Sequence, residues 1–291
     1  MVRLCPILLL SLLSILYAVE PSAPLRIGVM ANRGELAAKT MWTEFAVWIG
    51  IQCGRTAELS PLAINNVKQA VNDPSLALLI CNPGLAARLA MEKSFNPLAT
   101  WKSKEGTSQM AGVILAHPAA GIRTIADLRN KKVMTGVDDS GGAWQYQAAL
   151  LLNQGIDPAK NITRTIAKKQ DDIVLAVKAG AFDAGFVRSG LLEDMIAKGK
   201  LTVADVVVVE AIPAEAGFTL ARTTQFYPEW YLLARSDLDA ATVTSITEAC
   251  LKMPADHPAL VKAEISGWIN PLPLDSSLEL LKILRQPPFD Q

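Results

Sequence analysis

Short apolar runs alternate along this chain with longer stretches whose apolar residues fall three and four apart, the pattern of strands separated by amphipathic helices. Leu25 to Met30 predicts a strand and Glu35 to Ile49 a helix. Glu58 to Leu62 predicts a second strand and Ile64 to Val71 a second helix. Leu76 to Ile80 is continuously apolar, as expected of a strand covered on both faces. It ends at Cys81-Asn82-Pro83-Gly84, after which Leu85 to Met91 opens another helix. A second unit repeats the alternation. Met110 to Ala116 and Val133 to Val137 predict strands, with a short helix at Ile125 to Leu128 between them. Helices are predicted at Ala143 to Leu152, Ile173 to Ala179 and Leu191 to Ala197, and strands at Gly185 to Val187 and Asp205 to Glu210. Two more helices, Ala240 to Met253 and Ser276 to Arg285, close the chain. This order predicts an α/β protein of parallel sheets and helical crossovers. No repeat, low-complexity tract or loose linker separates the units, which predicts two lobes joined by more than one crossing.

Composition narrows the class. The chain has 291 residues, 51% hydrophobic and 19% charged, enough for a sizeable core. Lys plus Arg and Asp plus Glu balance at 28 each, and no basic stripe with interleaved aromatics occurs, so nucleic acid is not an expected partner. An anion site must therefore be local. Arg3 followed by the apolar run Leu4 to Val19 reads as a secretory signal over residues 1–18, cleaved after Ala18. The expected product is exported and soluble, periplasmic in a Gram-negative cell. Cys53, Cys81 and Cys250 remain after the signal, an odd number, and no Cys/His cluster suggests a metal site. The two histidines, His117 and His257, each precede a proline. Asp256-His257 has no recognisable nucleophile beside it, so an enzyme is not expected, and neither is a cofactor.

The candidate chemistry lies where strands end. In open α/β sheets ligands sit at the carboxyl ends of strands, and polar breaks at Asn32, Asn82, Ser140 and Arg188 follow such strands directly. Asp138-Asp139-Ser140-Gly141-Gly142 leads from a strand into a helix, which aims unpaired backbone N–H groups and a helix dipole at one spot. The same loop also fits an ordinary turn capped by Asp139 or Ser140. Arg33 offers a fork of donors to an oxyanion, or pairs with Glu35 at the surface. Cys81 and Asn82 border the cleft side of a buried strand, or form a turn in which Cys81 is a small core residue. Gln170 and Asp171 open a helix as ligand groups or as its cap, and Arg188 is an anion clamp or a surface ion-pair partner. Trp144, Trp230 and Tyr227 can wall a cleft or fill a core.

Seven words of sequence, in order, resemble one known family. They are Gly28-Val29-Met30-Ala31-Asn32-Arg33-Gly34-Glu35, Asn82-Pro83-Gly84, Asp139-Ser140-Gly141-Gly142-Ala143-Trp144-Gln145, and Asp183-Ala184-Gly185 with Val187-Arg188. Tyr227-Pro228-Glu229-Trp230, Met253-Pro254-Ala255-Asp256-His257-Pro258-Ala259, and Gly267-Trp268 with Pro271-Leu272 complete the set. The chain resembles the phosphate/phosphite/phosphonate-type periplasmic binding proteins, nearest the branch that forms the sensor domain of tetrathionate-type sensor histidine kinases.

The resemblance implies a two-lobed type II periplasmic-binding-protein fold, each lobe a mostly parallel sheet flanked by helices, closing on a small oxyanion. Residues 25–110 with 218–291 form the expected first lobe and 111–217 the second, with crossings near 108–116 and 210–222. The ligand set it implies is Asn32, Arg33, Cys81, Asn82, Ser140, Gly141, Gly142, Gln170, Asp171 and Arg188. Cys81 stands where relatives carry a hydroxyl residue, and a thiol in the cleft suits a thiophilic ligand such as an arsenic or sulfur oxyanion better than phosphate. Relatives serving arsenic-responsive signalling point the same way. Kinase relatives continue into a membrane helix, whereas this chain stops at Gln291 after Pro287-Pro288-Phe289. A free subunit is thus expected, signalling to a membrane sensor histidine kinase or, alternatively, delivering ligand to the permease of an ABC transporter.

Overall fold

The computed structural model describes residues 23–63 and 66–290. The signal segment and Ile64 lie outside them. The chain runs β1 (Leu25–Met30), α1 (Glu35–Gln52), β2 (Ala57–Leu62), α2 (Val67–Ala70), β3 (Leu76–Cys81), α3 (Pro83–Met91) and β4 (Phe95–Ser103). It crosses through β5 (Gln109–Met110) into β6 (Gly112–Ala116), β7 (Lys132–Thr135), α4 (Tyr146–Asn153), α5 (Pro158–Asn161) and β8 (Thr163–Ile166). There follow α6 (Gln170–Lys178), β9 (Ala184–Arg188), α7 (Leu191–Ala197) and β10 (Val207–Val208). The return passes through β11 (Tyr227–Pro228) to β12 (Tyr231–Arg235), α8 (Ala240–Lys252), α9 (Pro258–Ala263), β13 (Ile265–Ile269) and α10 (Asp275–Ile283).

Two sheets result, ordered β13-β4-β12-β3-β1-β2 and β10-β6-β9-β7-β8. They are mixed rather than mostly parallel. Pairing is parallel in the consecutive α/β units, β1 with β2 and β3, and β7 with β8 and β9. Wherever the chain returns from the other lobe, as at β12 and β6, pairing is antiparallel. The crossing strands β5 and β11 pair with each other, Met110 opposite Tyr227, and form a two-stranded hinge.

Each sheet buries both faces. Leu78 and Ile80 point into one cluster with Trp42, Phe45 and Ile49 of α1, while Leu76 and Leu79 point into another with Ala86 and Leu89 of α3. A fully buried Leu or Ile side chain contributes about 1.5–3 kcal/mol, so β3 is a principal anchor of the first lobe. Val113 and Leu115 of β6 face α6 and α7 of the second lobe, and Ile114 and Ala116 face the opposite side. A fifth cluster sits at the hinge, where Met110 and Tyr227 meet Tyr146 and Ala149 of α4 and Leu280 of α10. Among the described residues no helix is long and apolar enough to cross a membrane.

Of the helix expected over Ile64 to Val71, the described residues form a helix at Val67–Ala70. The strand expected over Asp205 to Glu210 is two residues long, preceded by a 3-10 turn that Thr202 and Asp205 close as a capping box. Both histidines cap helical starts: His117 Nδ1 accepts from Ala119 N–H and His257 Nδ1 from Ala259 N–H, each at 3.2 Å.

Candidate functional site

The carboxyl ends of β1, β3 and β4 in one lobe face those of β7 and β9 in the other. On the first jaw, Asn82 ends β3 and caps α3. Its Oδ1 accepts from Leu85 N–H at 2.8 Å, and Pro83 occupies the first helical turn. Its Nδ2 donates across the cleft to the carbonyl of Asp139 at 3.3 Å. Asn32 is exposed just past β1. Arg33 is half exposed and pairs with Glu264 at 2.5 Å, not with Glu35. That hydrogen bond and charge hold the Glu264 carboxyl below its usual range.

Cys81 departs from expectation. It is 0% exposed, packed with Met30, Leu89 and Tyr231 on the inner face of the sheet, and burial pushes its thiol far up. A neutral, enclosed thiol is neither a nucleophile nor a ligand group. The argument for a thiophilic arsenic or sulfur ligand, which rested on Cys81 lining the cleft, falls with it.

The second jaw is the loop after β7. Gly141–Gln145 form one π-helical turn that continues into α4, and Ser140 does not cap it with its side chain. A side chain at Gly142 would place its Cβ 2.7 Å from Arg188 Cβ, and one at Gly141 would lie 2.8 Å from the Tyr146 hydroxyl. Both glycines are therefore required by close packing. Two residues outside the sequence-derived set brace the loop. Arg164 on β8 donates to Thr135 Oγ1 at 2.7 Å, the Gly136 carbonyl at 2.8 Å and Asp138 at 2.6 Å, and lies 3.4 Å over the Trp144 ring. Gln147, fully buried, donates from Nε2 to the carbonyls of Gly142, Val113 and Val187. Trp144 accordingly stacks on Phe186 within the lobe rather than walling the cleft.

Gln170 Oε1 accepts from the backbone N–H of Arg188 at 2.9 Å, so the start of α6 holds the end of β9. Asp171 faces Lys200 at 3.5 Å. The Arg188 guanidinium, half-buried, donates to the Ser189 carbonyl and lies 3.6 Å from Asp194. Asp194 also binds Lys104, just past β4, across the lobes. Burial opposes ionisation of Asp194, but the hydrogen bond and charge of Lys104, with Arg188, hold its carboxyl below the usual range.

Trp230, offered by the sequence as cleft wall or core, belongs to an aromatic stack packed against the core of the first lobe. Trp42, Trp101 and Trp230 form a parallel stack with centroids 5.7 and 5.1 Å apart. Trp101 Nε1 donates to Glu229 Oε2 at 3.0 Å. Desolvation pushes the Glu229 carboxyl up to about 7, against the Trp101 hydrogen bond and the charge of Arg188, which favour ionisation. The Tyr146 hydroxyl is buried without a partner among the described residues, and its ring stacks on Tyr227 at 3.8 Å. A cavity of about 180 Å³ is bordered by Met30, Asn82 and Arg88 from one lobe, Asp139 and Gln145 from the other, and Gln286 beyond α10. Lys68 adds a second positive charge to its lining. Gln145 Nε2 donates to Gln286 Oε1 at 2.9 Å and closes one side. No group of three or more metal-ligating side chains occurs among the described residues.

Two α/β lobes joined by a double crossing, with polar strand ends turned to one cleft, define a two-lobed ligand-binding protein. The chain belongs to the family described as ABC transporter, phosphonate, periplasmic substrate-binding protein, whose model matches residues 27–275. It is 26% identical over 268 residues to the tetrathionate sensor histidine kinase TtrS of Salmonella typhimurium. That match covers 90% of this chain and 44% of the kinase, so the chain spans under half of its relative's length. Among solved structures, a Xanthomonas citri protein bound to ATP superposes with a TM-score of 0.75 at 14% identity, covering 91% of this chain and 100% of the other. PhnD1 from Prochlorococcus marinus in complex with methylphosphonate gives 0.68 at 15% identity, covering 90% and 98%. At such identities the likeness is one of fold.

Proposed function

We propose that this protein is a periplasmic binding subunit that closes its lobes on a small, oxygen-rich anion and presents the closed form to a membrane partner. The observation that carries the reading is the cavity of about 180 Å³ shared by both lobes. Arg88, Lys68 and the amide of Asn82 line it, and the uncapped turn at Ser140 lies next to its Asp139 wall. Guanidinium, ammonium, amide and free backbone N–H groups all donate hydrogen bonds, which suits an oxyanion, while Met30, Val67, Leu85, Leu281 and Pro287 supply an apolar wall beside them. Asn82 lines this cavity, and the family resemblance adds Ser140, Gly141 and Arg188 on one jaw and Asn32 and Arg33 on the other as proposed contacts outside its lining. Gln170 and Asp171 act behind them by fixing β9 and α6. Cys81 is not among them. Closure on ligand is a population shift towards the form with both lobes engaged.

The likeness to a sensor kinase along 90% of the chain favours a histidine kinase as the partner. The family description, a transporter component, favours a permease. Thermal unfolding with phosphate, phosphite, methylphosphonate, arsenate, sulfite, thiosulfate and tetrathionate tests the ligand class. A ligand at a hundred times its Kd stabilises by about 2.7 kcal/mol, so a binder raises Tm by degrees. If no oxyanion does so, the reading is wrong. Loaded protein added to the reconstituted partner then separates the two roles: it alters kinase autophosphorylation in one case and permease ATPase activity in the other.

A further inference from the structure

We infer that Arg164 is the positioning residue of the anion-binding turn: without touching the ligand, its guanidinium fixes the loop that presents the leading backbone N–H groups of that turn. This deepens the oxyanion reading above and rests on it. The turn starts its hydrogen bonds late. The first helical bond runs from Gln145 N–H to the Ser140 carbonyl, five residues apart, at 3.0 Å. The N–H groups of Gly141, Gly142, Ala143 and Trp144 come before that bond, one more than an α-helical start leaves ahead of its own. A side chain points to the same place. The Tyr146 hydroxyl, on a residue 2% exposed and without a partner among the described residues, lies 2.8 Å from where a Cβ at Gly141 would stand.

Ser140 gives this start no side-chain cap, and Gly136, Gly141 and Gly142 bring no side chains to hold it. The loop folds back on itself so tightly that a Cβ at Gly136 would lie 2.9 Å from Ala143 Cβ, and the Gly136 N–H donates to the Ala143 carbonyl at 2.9 Å. Arg164 reaches this closed loop from the edge strand β8. Its Nε bonds Thr135 just before the loop, its terminal nitrogens bond the Gly136 carbonyl and Asp138 within it, and its guanidinium covers the Trp144 ring at the far end. One planar group therefore touches both ends of residues 136–144. All three of its nitrogens are engaged and its side chain is only 19% exposed, so it supports the turn rather than meeting the ligand. A lysine carries the same charge on a single point and offers neither the planar fork nor the flat face.

A loop already ordered before the ligand arrives has less freedom to lose on binding, and affinity rises accordingly. Without the guanidinium the leading N–H groups spread over several directions, and the ligand must gather them. Asp138 separates this effect from simple charge. Its carboxylate is a negative group beside an anion-binding turn, so by Coulomb attraction alone its removal would tighten anion binding. It is also one of the anchors of Arg164, so by positioning its removal loosens binding. The two accounts differ in sign.

Calorimetric titration of wild type, Arg164→Lys, Arg164→Met and Asp138→Ala with phosphate, methylphosphonate and thiosulfate tests the assignment, together with hydrogen exchange of the same proteins. For each anion the wild type binds, both Arg164 variants are expected to bind about tenfold more weakly or worse, the scale on which lost outer support loosens a bound group. Exchange is expected to quicken over residues 136–146 alone and to slow again when that anion is added to saturation. A merely structural role would quicken exchange across the whole second lobe and leave it quick with the anion present. Asp138→Ala is expected to weaken binding despite the negative charge it removes. Wild-type affinity in Arg164→Lys, or exchange that quickens throughout the lobe, overturns the inference and leaves the oxyanion reading standing. If neither Arg164 variant folds, Asp138→Ala decides: unchanged or tighter binding overturns the inference. Absence of wild-type binding to all three anions overturns both.

Discussion

Helix α3 and the π-helical turn before α4 begin on opposite sides of one cleft, and they complete their hydrogen bonds in opposite ways. The α3 start is self-sufficient. Asn82 caps it from the side and Pro83 removes one N–H that would otherwise need a partner. The opposing turn starts at Ser140 with no side-chain cap, on two glycines pressed against Tyr146 and Arg188, and its shape is held from behind by Arg164 and Gln147. One jaw is stable because its own sequence satisfies it. The other is stable because distant residues brace it, which leaves its leading N–H groups available to a ligand. Local satisfaction and functional availability are thus divided between the jaws.

Substitutions can break or sharpen that contrast. The largest effect is expected from Gly142→Ala. The new Cβ would sit 2.7 Å from Arg188 Cβ and 3.1 Å from its Cα, so backbone must move. Overpacking of this kind costs about 1–3 kcal/mol, to be read from urea unfolding. An unchanged midpoint would show that the turn and β9 separate freely. Asn82→Ala, which removes the cap, is expected to cost about 1 kcal/mol. Asn82→Ser sharpens the test, since it keeps a capping oxygen and deletes only the donor to Asp139. Arg33→Ala breaks an exposed pair with Glu264 and should cost under about 0.5 kcal/mol, less still in high salt. The smallest effect belongs to Ser140→Ala. Without ligand its stability should stay within about 0.5 kcal/mol of wild type, and a loss comparable to Asn82→Ala would show that both jaws are capped after all.

β1, β3 and β6 were legible because they are apolar runs bounded by polar breaks. The antiparallel strands β4 and β13 were not. β4, Phe-Asn-Pro-Leu-Ala-Thr-Trp-Lys-Ser, carries a proline and no clean alternation, and β13, Ile-Ser-Gly-Trp-Ile, is interrupted by glycine. Both are strands because β12 returns to pair with β4, which then accepts β13, an event with no local signature. The site divides the same way. The Ser140 loop and Asn82 turn are local chemistry, and sequence order exposed them. Arg33 finds Glu264 across 231 positions and Trp101 finds Glu229 across 128, separations that spacing rules do not reach. Cys81 was misplaced for a related reason: β3 is buried on both faces, so strand parity does not separate a core side chain from a cleft side chain.

Helix α10 has a mechanical consequence. It touches α3 on one lobe, α4 on the other and β11 at the hinge, and Leu280 is buried in the cluster it shares with α4 and β11. Just beyond it, Gln286 is fastened to Gln145. A rigid rod seated against two bodies and their axle cannot keep all three fits when the bodies rotate. If the lobes close as proposed, each angle between them would set a different seating of α10, and its exposed residues Glu279 and Lys282 would move with it like a pointer on a dial. The proposed closure of the cleft would in this way be written on the outside of the molecule.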